Sequence, residues 1–191
     1  MKTSGRKLRL AKAALLIIDM ISDFEFEDGA AVARAALPLA RTIAKIRAVA
    51  TARGAAVLFV NDNLGDWHSD FRQMLSRCRA EGCIGAAIIE ALQPSASDYF
   101  VLKPTHAGFY GTPLDHLLDK LGVETLVITG ISAHQCILFT ANEAYLRQYK
   151  LVIPSDCVAA KTSRQKQFAL EYFKSVLHAD TRPSPRIDFR R

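Results

Sequence analysis

Three side chains stand where apolar runs end and carry the groups that thiol-based hydrolysis needs: Asp19, Lys103 and Cys136. Cys136 closes the stretch "GISAHQC" just ahead of a helical pattern. A thiol of ordinary pKa is only a few per cent thiolate at neutral pH, so a nucleophilic cysteine needs help. A helix N-terminus favours an anion there. Lys103 would supply positive charge, and Asp19 could take the thiol proton and return it to a leaving amine. The tight turn before Cys136 offers backbone N–H groups for an oxyanion. The same residues also have plain structural uses. Asp19 could cap a turn or helix, Lys103 could be a rim charge, and Cys136 could fill space as a small buried side chain. Spacing by itself leaves both sets of roles open.

The elements that must position these groups alternate regularly. "ALLIID" (14–19), "AVLFVN" (56–61), "YFVLK" (99–103), "TLVIT" (125–129) and "LVIP" (151–154) are continuous apolar runs of the kind found in strands buried on both faces. A short sixth strand is expected near 180–183. Between them, helical patterns are predicted over Ala31 to Arg53, 70–79, 86–92, Thr112 to Leu121, 135–148 and 163–177. Gly54 and Gly122 stand as stops, and Thr112-Pro113 as a start. This alternation predicts an α/β fold, a parallel sheet covered by helices on both faces. Ligands in such sheets bind beyond the carboxyl ends of the strands, where Asp19, Asn61 to Asn63, Lys103 and Gly130 to Cys136 lie.

The chain has 191 residues, 50% hydrophobic and 23% charged, enough for one domain with a substantial core. Its net charge of +6 sits in the ends: residues 1–12 hold five cations and no acid, and residues 178–191 hold four Arg against two Asp. The body is nearly neutral, so a basic tail (1–12), one domain (13–183) and a second tail (184–191) are expected. No nucleic-acid partner follows from such tails, and no zinc-finger spacing supports one. No apolar stretch reaches the ~20 residues that cross a bilayer. The basic leader runs into acidic "DMISDFEFED" without a cleavage site, so a cytoplasmic location is expected. Cys78, Cys83, Cys136 and Cys157 are irregularly spaced, which reads as reduced thiols.

From about Ala14 to Ala160 the chain resembles the isochorismatase-like cysteine hydrolases, the family that includes nicotinamidases and N-carbamoyl amidohydrolases. Three blocks carry the resemblance in order: "LLIIDMISDF", "VLKPTHAGFYGTPLDHLLDKLGVETLVITG" and "GISAHQCILFTANEAYLRQYKLVIPSDCVAA". The resemblance implies a Rossmann-like three-layer α/β/α fold with a six-stranded, mainly parallel sheet. It also implies an Asp19–Lys103–Cys136 triad, a cis peptide at Ile131–Ser132 and an oxyanion hole from the N–H groups of Ser132 and Cys136. The implied reaction is acyl transfer through a thioester on a small carboxamide or ureide. Ether hydrolysis of the isochorismate type and a non-catalytic scaffold are the alternatives. Family members commonly form homodimers or homotetramers.

One departure concerns metal. Nicotinamidases use an Asp-x-His element after the second strand, whereas Asp62 here is followed by Asn63 and Leu64, with His68 alone nearby. Neither metal nor other cofactor is expected. Phe24, Asn63, Trp67, His106 and Phe109, with Tyr110, are the expected pocket residues. The roles of His134 and Gln135 stay open.

Overall fold

The computed structural model describes residues 7–68 and 70–190. Its centre is a five-stranded sheet in the order β4-β3-β2-β5-β6, with every neighbouring pair parallel. The strands are β2 (Ala13–Ile18), β3 (Ala56–Asp62), β4 (Tyr99–Lys103), β5 (Thr125–Gly130) and β6 (Lys150–Val152). β2 lies in the middle and all six of its residues are buried, as its unbroken apolar run requires.

Alternate residues of β2 point to opposite faces, and this divides the core in two. Leu15 and Ile17 pack with α1 (Gly29–Ala52), α2 (Phe71–Cys78) and α3 (Ala86–Leu92). Ala14, Leu16 and Ile18 pack with α4 (Leu114–Lys120), α5 (Cys136–Leu146) and α6 (Ser163–Ser175). Two helical layers thus enclose one sheet. The helices start and stop within a few residues of the patterns in the sequence. α6 opens on a capping box in which Thr162 and Gln165 satisfy each other's backbone N–H groups.

Two expectations change. The sixth strand is a single bridge, Val152 to Asp180, after which "TRPSP" leaves the sheet; Pro183 has no N–H to extend a ladder. Residues expected in tails are instead ordered beside the domain. β1 (Leu8–Leu10) pairs in parallel with β7 (Ile187–Phe189) as a separate two-stranded sheet. Leu10, Ile187 and Phe189 alternate inward and are buried, whereas Arg9 and Asp188 face away.

Candidate active site

Strand ends place Asp19 and Lys103, and a helix start places Cys136. β2 ends at Ile18, and Asp19 then adopts a left-handed conformation (φ 52°), a backbone state Asp tolerates better than most residues. Its N–H still bonds Val60 O at 3.0 Å, so the turn stays tied to the sheet. Asp19 Oδ1 accepts the Asp62 N–H at 2.8 Å, and Oδ2 lies 2.9 Å from Lys103 Nζ. Lys103 is the last residue of β4, and its side chain is completely buried, which rules out a rim charge. Its ammonium also donates to Thr105 O at 3.0 Å and lies 3.5 Å from Asp62 Oδ2 and 3.7 Å from Cys136 Sγ.

Cys136 is the first residue of α5, reached from β5 through Gly130 and the turn 131–135. Gly130 has φ 116°, and a Cβ there would sit 2.0 Å from Ile18 O. Only glycine lets β5 run this close to the end of β2, and that approach brings the cysteine turn beside Asp19. The Ile131–Ser132 peptide is cis. Among the described residues, neither the Ser132 nor the Cys136 N–H donates to a protein acceptor. Both are free to meet an oxyanion.

Electrostatics at this point run against a preformed thiolate. Burial pushes the Cys136 thiol well above its ordinary range, the Asp19 charge adds to this, and Lys103 opposes it. Burial likewise raises the Asp19 carboxyl, held down in part by Lys103 and by hydrogen bonds from the thiol, Lys103 and the Asp62 N–H. Burial would lower Lys103, but above all the charge of Asp19 beside it holds it above its usual value. The resting arrangement is therefore an Asp19–Lys103 ion pair beside a neutral thiol. A carboxylate with a raised pKa is a better base than an ordinary one. The helix N-terminus alone does not determine the state of the thiol.

A cavity of about 580 Å³ opens over Cys136 and Asp19. Two ion pairs stand on its walls: Arg77 with Asp23 and Lys161 with Asp28, each at 2.5 Å. His106, Ser132, His134 and Gln135 also line it. His134 Nδ1 is buried without a hydrogen-bond partner, and burial lowers the pKa of its ring.

Of the five expected pocket residues, only His106 lines this cavity. Phe24 is turned into the α1 side of the core, with φ 59°. Phe109 packs on the opposite face against Tyr149, with Arg147 over its ring at 4.5 Å. Asn63 is buried in a turn, where its Oδ1 accepts the Gly65 N–H at 3.0 Å. Trp67 is 77% exposed on the surface, and Tyr110 is 64% exposed. Arg77, Lys161, Asp23 and Asp28 carry no motif in the sequence. They meet only because α2 and the start of α6 converge on the loop after β2.

The residues near Asp62 do not fit a metal. Asp62 Oδ1 accepts the Leu64 N–H at 2.8 Å, its Oδ2 faces the Lys103 ammonium, and His68 is exposed. Among the described residues no group of three or more His, Cys, Asp or Glu is arranged to hold a metal ion.

Comparison with known proteins agrees with this frame. Residues 13–181 match the Isochorismatase domain family. The chain is 38% identical over 170 residues to the uncharacterized isochorismatase family protein YaaI of Bacillus subtilis, covering 89% of this chain and 93% of that one. Among solved structures, the N-carbamoylsarcosine amidase of Thermoplasma acidophilum is similar at 29% identity and a TM-score of 0.68. It covers 91% of this chain and 96% of its own. The nicotinamidase SaPncA of Staphylococcus aureus is similar at 26% identity and a TM-score of 0.71, covering 91% of this chain and 99% of its own. The chain belongs to the isochorismatase family of hydrolases.

Proposed function

We propose that this protein is a cysteine-dependent hydrolase that cleaves the C–N bond of a small carboxamide or ureide through a thioester on Cys136. One observation carries the proposal. The completely buried Lys103 ammonium lies 2.9 Å from Asp19 Oδ2 and 3.7 Å from Cys136 Sγ, on the floor of a cavity sized for a small molecule. A buried cation held between a carboxylate and a thiol fits proton transfer between them better than it fits packing. Similarity to an N-carbamoylsarcosine amidase and a nicotinamidase supports amide-type chemistry.

In the proposed reaction Asp19 takes the Cys136 proton as sulfur attacks the carbonyl carbon. The carbonyl electrons move to oxygen, where the N–H groups of Ser132 and Cys136 receive the charge. Collapse breaks the C–N bond, and protonated Asp19 gives its proton to the departing nitrogen. Water then attacks the thioester as Asp19 takes its proton, the C–S bond breaks, and the proton returns to sulfur. Lys103 keeps the two acids and their shared proton close to neutral overall.

The test is ammonia release across a panel of small amides and ureides, with Cys136→Ala as the control. Turnover of one or more panel members that vanishes in the variant is the expected result. Full turnover in Cys136→Ala would refute the thioester route and favour ether hydrolysis.

A further inference from the structure

We infer that His106 is a further catalytic residue: its Nδ1–H donates to Cys136 Sγ and stabilises the sulfur anion when it forms and when it is expelled. This rests on the thioester reading above. His106 Nδ1 lies 3.5 Å from Cys136 Sγ, within reach of an N–H···S bond. Lys103 Nζ donates to the same sulfur at 3.7 Å, so Sγ already stands as an acceptor on that side. In the inferred arrangement sulfur accepts from the imidazole as well, through the proton on Nδ1.

Two features hold the ring there. Its plane stacks on Phe139, with centroids 5.6 Å apart and planes 18° apart. The loop that carries it is tied at both ends to the catalytic elements. Lys103 Nζ donates to Thr105 O on one side. On the other, the Gly108 N–H donates to Thr140 Oγ1 at 2.9 Å and the Phe109 N–H to Glu143 Oε2 at 3.2 Å, both acceptors on α5. An exposed side chain anchored in this way has lost much of its freedom before any substrate arrives.

The chemistry follows from what sulfur does. Removing the thiol proton places negative charge on Sγ between Lys103 and His106, so two donors face it instead of one. As C–S forms, the charge leaves sulfur and the His106 bond weakens. As C–S breaks in the second half, the bond strengthens again. No proton leaves the ring, so every step balances as written above with Asp19 as the base. A donor aimed at developing charge contributes about 10- to 100-fold in rate.

The experiment uses the intact protein and iodoacetamide, with peptide mapping of the alkylated thiols at pH 7.5. His106→Phe keeps a ring on Phe139 and removes the donor; His106→Asn keeps an N–H donor. The expected result is Cys136 alkylation slowed about 10- to 100-fold in His106→Phe and largely restored in His106→Asn. Cys83, remote in sequence and partly buried, serves as the internal standard, since a variant that had unfolded would alkylate Cys83 faster. Rates for Cys136 within threefold in wild type and His106→Phe would overturn the inference. So would equal slowing in both variants, which would make the ring structural only. Full amide turnover by Cys136→Ala would sink the thioester reading itself, and this inference with it.

Discussion

Replacing Lys103 with Met keeps most of the volume of a buried side chain and removes its charge. Asp19 then loses a cation 2.9 Å away, in a position where its carboxyl is only 15% exposed. At an effective dielectric of about 20, that pair attracts by about 6 kcal/mol, before the cost of burying either charge is counted. Breaking one side of such a pair costs about 3–5 kcal/mol, because the remaining charge stays buried and unpaired. The pH dependence has a definite sign. Burial already raises the Asp19 pKa, and losing Lys103 raises it further, so Asp19 binds its proton more tightly in the folded than in the unfolded state. Such a group favours the fold below its unfolded pKa and loses that contribution as pH rises through its folded pKa. The stability deficit of Lys103→Met should therefore be about 3–5 kcal/mol at pH 8 and should shrink towards pH 4.5, as Asp19 takes up its proton and needs its counterion less. Urea unfolding of wild type and variant at both pH values measures this. A deficit below about 1 kcal/mol, or one that does not change with pH, would refute the buried-pair reasoning.

Other outcomes follow from the same geometry. Iodoacetamide should label Cys136 well ahead of Cys78 and Cys157, because Cys136 opens onto the cavity beside Asp19 whereas the other two are buried away from it; mapping that found the reverse order would count against an open nucleophile. Gly130→Ala should lose at least about 3 kcal/mol or fail to fold, since its Cβ would meet Ile18 O at φ 116°; a chevron or urea curve reads the loss. Gly108→Ala should cut turnover about tenfold while costing less than about 2 kcal/mol in stability, because a Cβ 3.1 Å from Thr140 Cγ2 shifts the His106 loop. Arg47→Ala should cost about 2–4 kcal/mol by stranding Asp98, its partner at 2.5 Å, and should leave Cys136 alkylation unchanged.

The framework was legible because β2, β3 and β5 are buried on both faces and so read as unbroken apolar runs. The strand ends were legible for the same reason: Asp19 and Lys103 are polar groups that terminate such runs, and the parallel topology brings those ends together. The pocket walls were not. Phe24, Phe109 and Trp67 have the right residue types, but the direction of a side chain in a loop depends on one or two backbone angles, such as φ 59° at Phe24. The wall charges Arg77 and Lys161 belong to helices far apart in sequence, and no spacing connects them. The raised thiol pKa of Cys136 was also hidden, because the burial and the Asp19 charge that cause it come from the fold and not from local spacing. The sixth strand gave way for a local reason, Pro183 in "TRPSP".

The ties between the His106 loop and α5 have a mechanical consequence. Thr140 and Glu143 hold that loop, and Cys136 begins the same helix, so sulfur and imidazole belong to one body. Asp19 belongs to the other, the central sheet, with Lys103 at the seam where β4 runs into the loop. On the proposed mechanism, a small shift of α5 would leave the sulfur–imidazole spacing intact while changing the gap that the thiol proton must cross. Substitutions under α5, at Ile137, Ala141 or Ala144, could thus tune proton transfer without touching a reacting group.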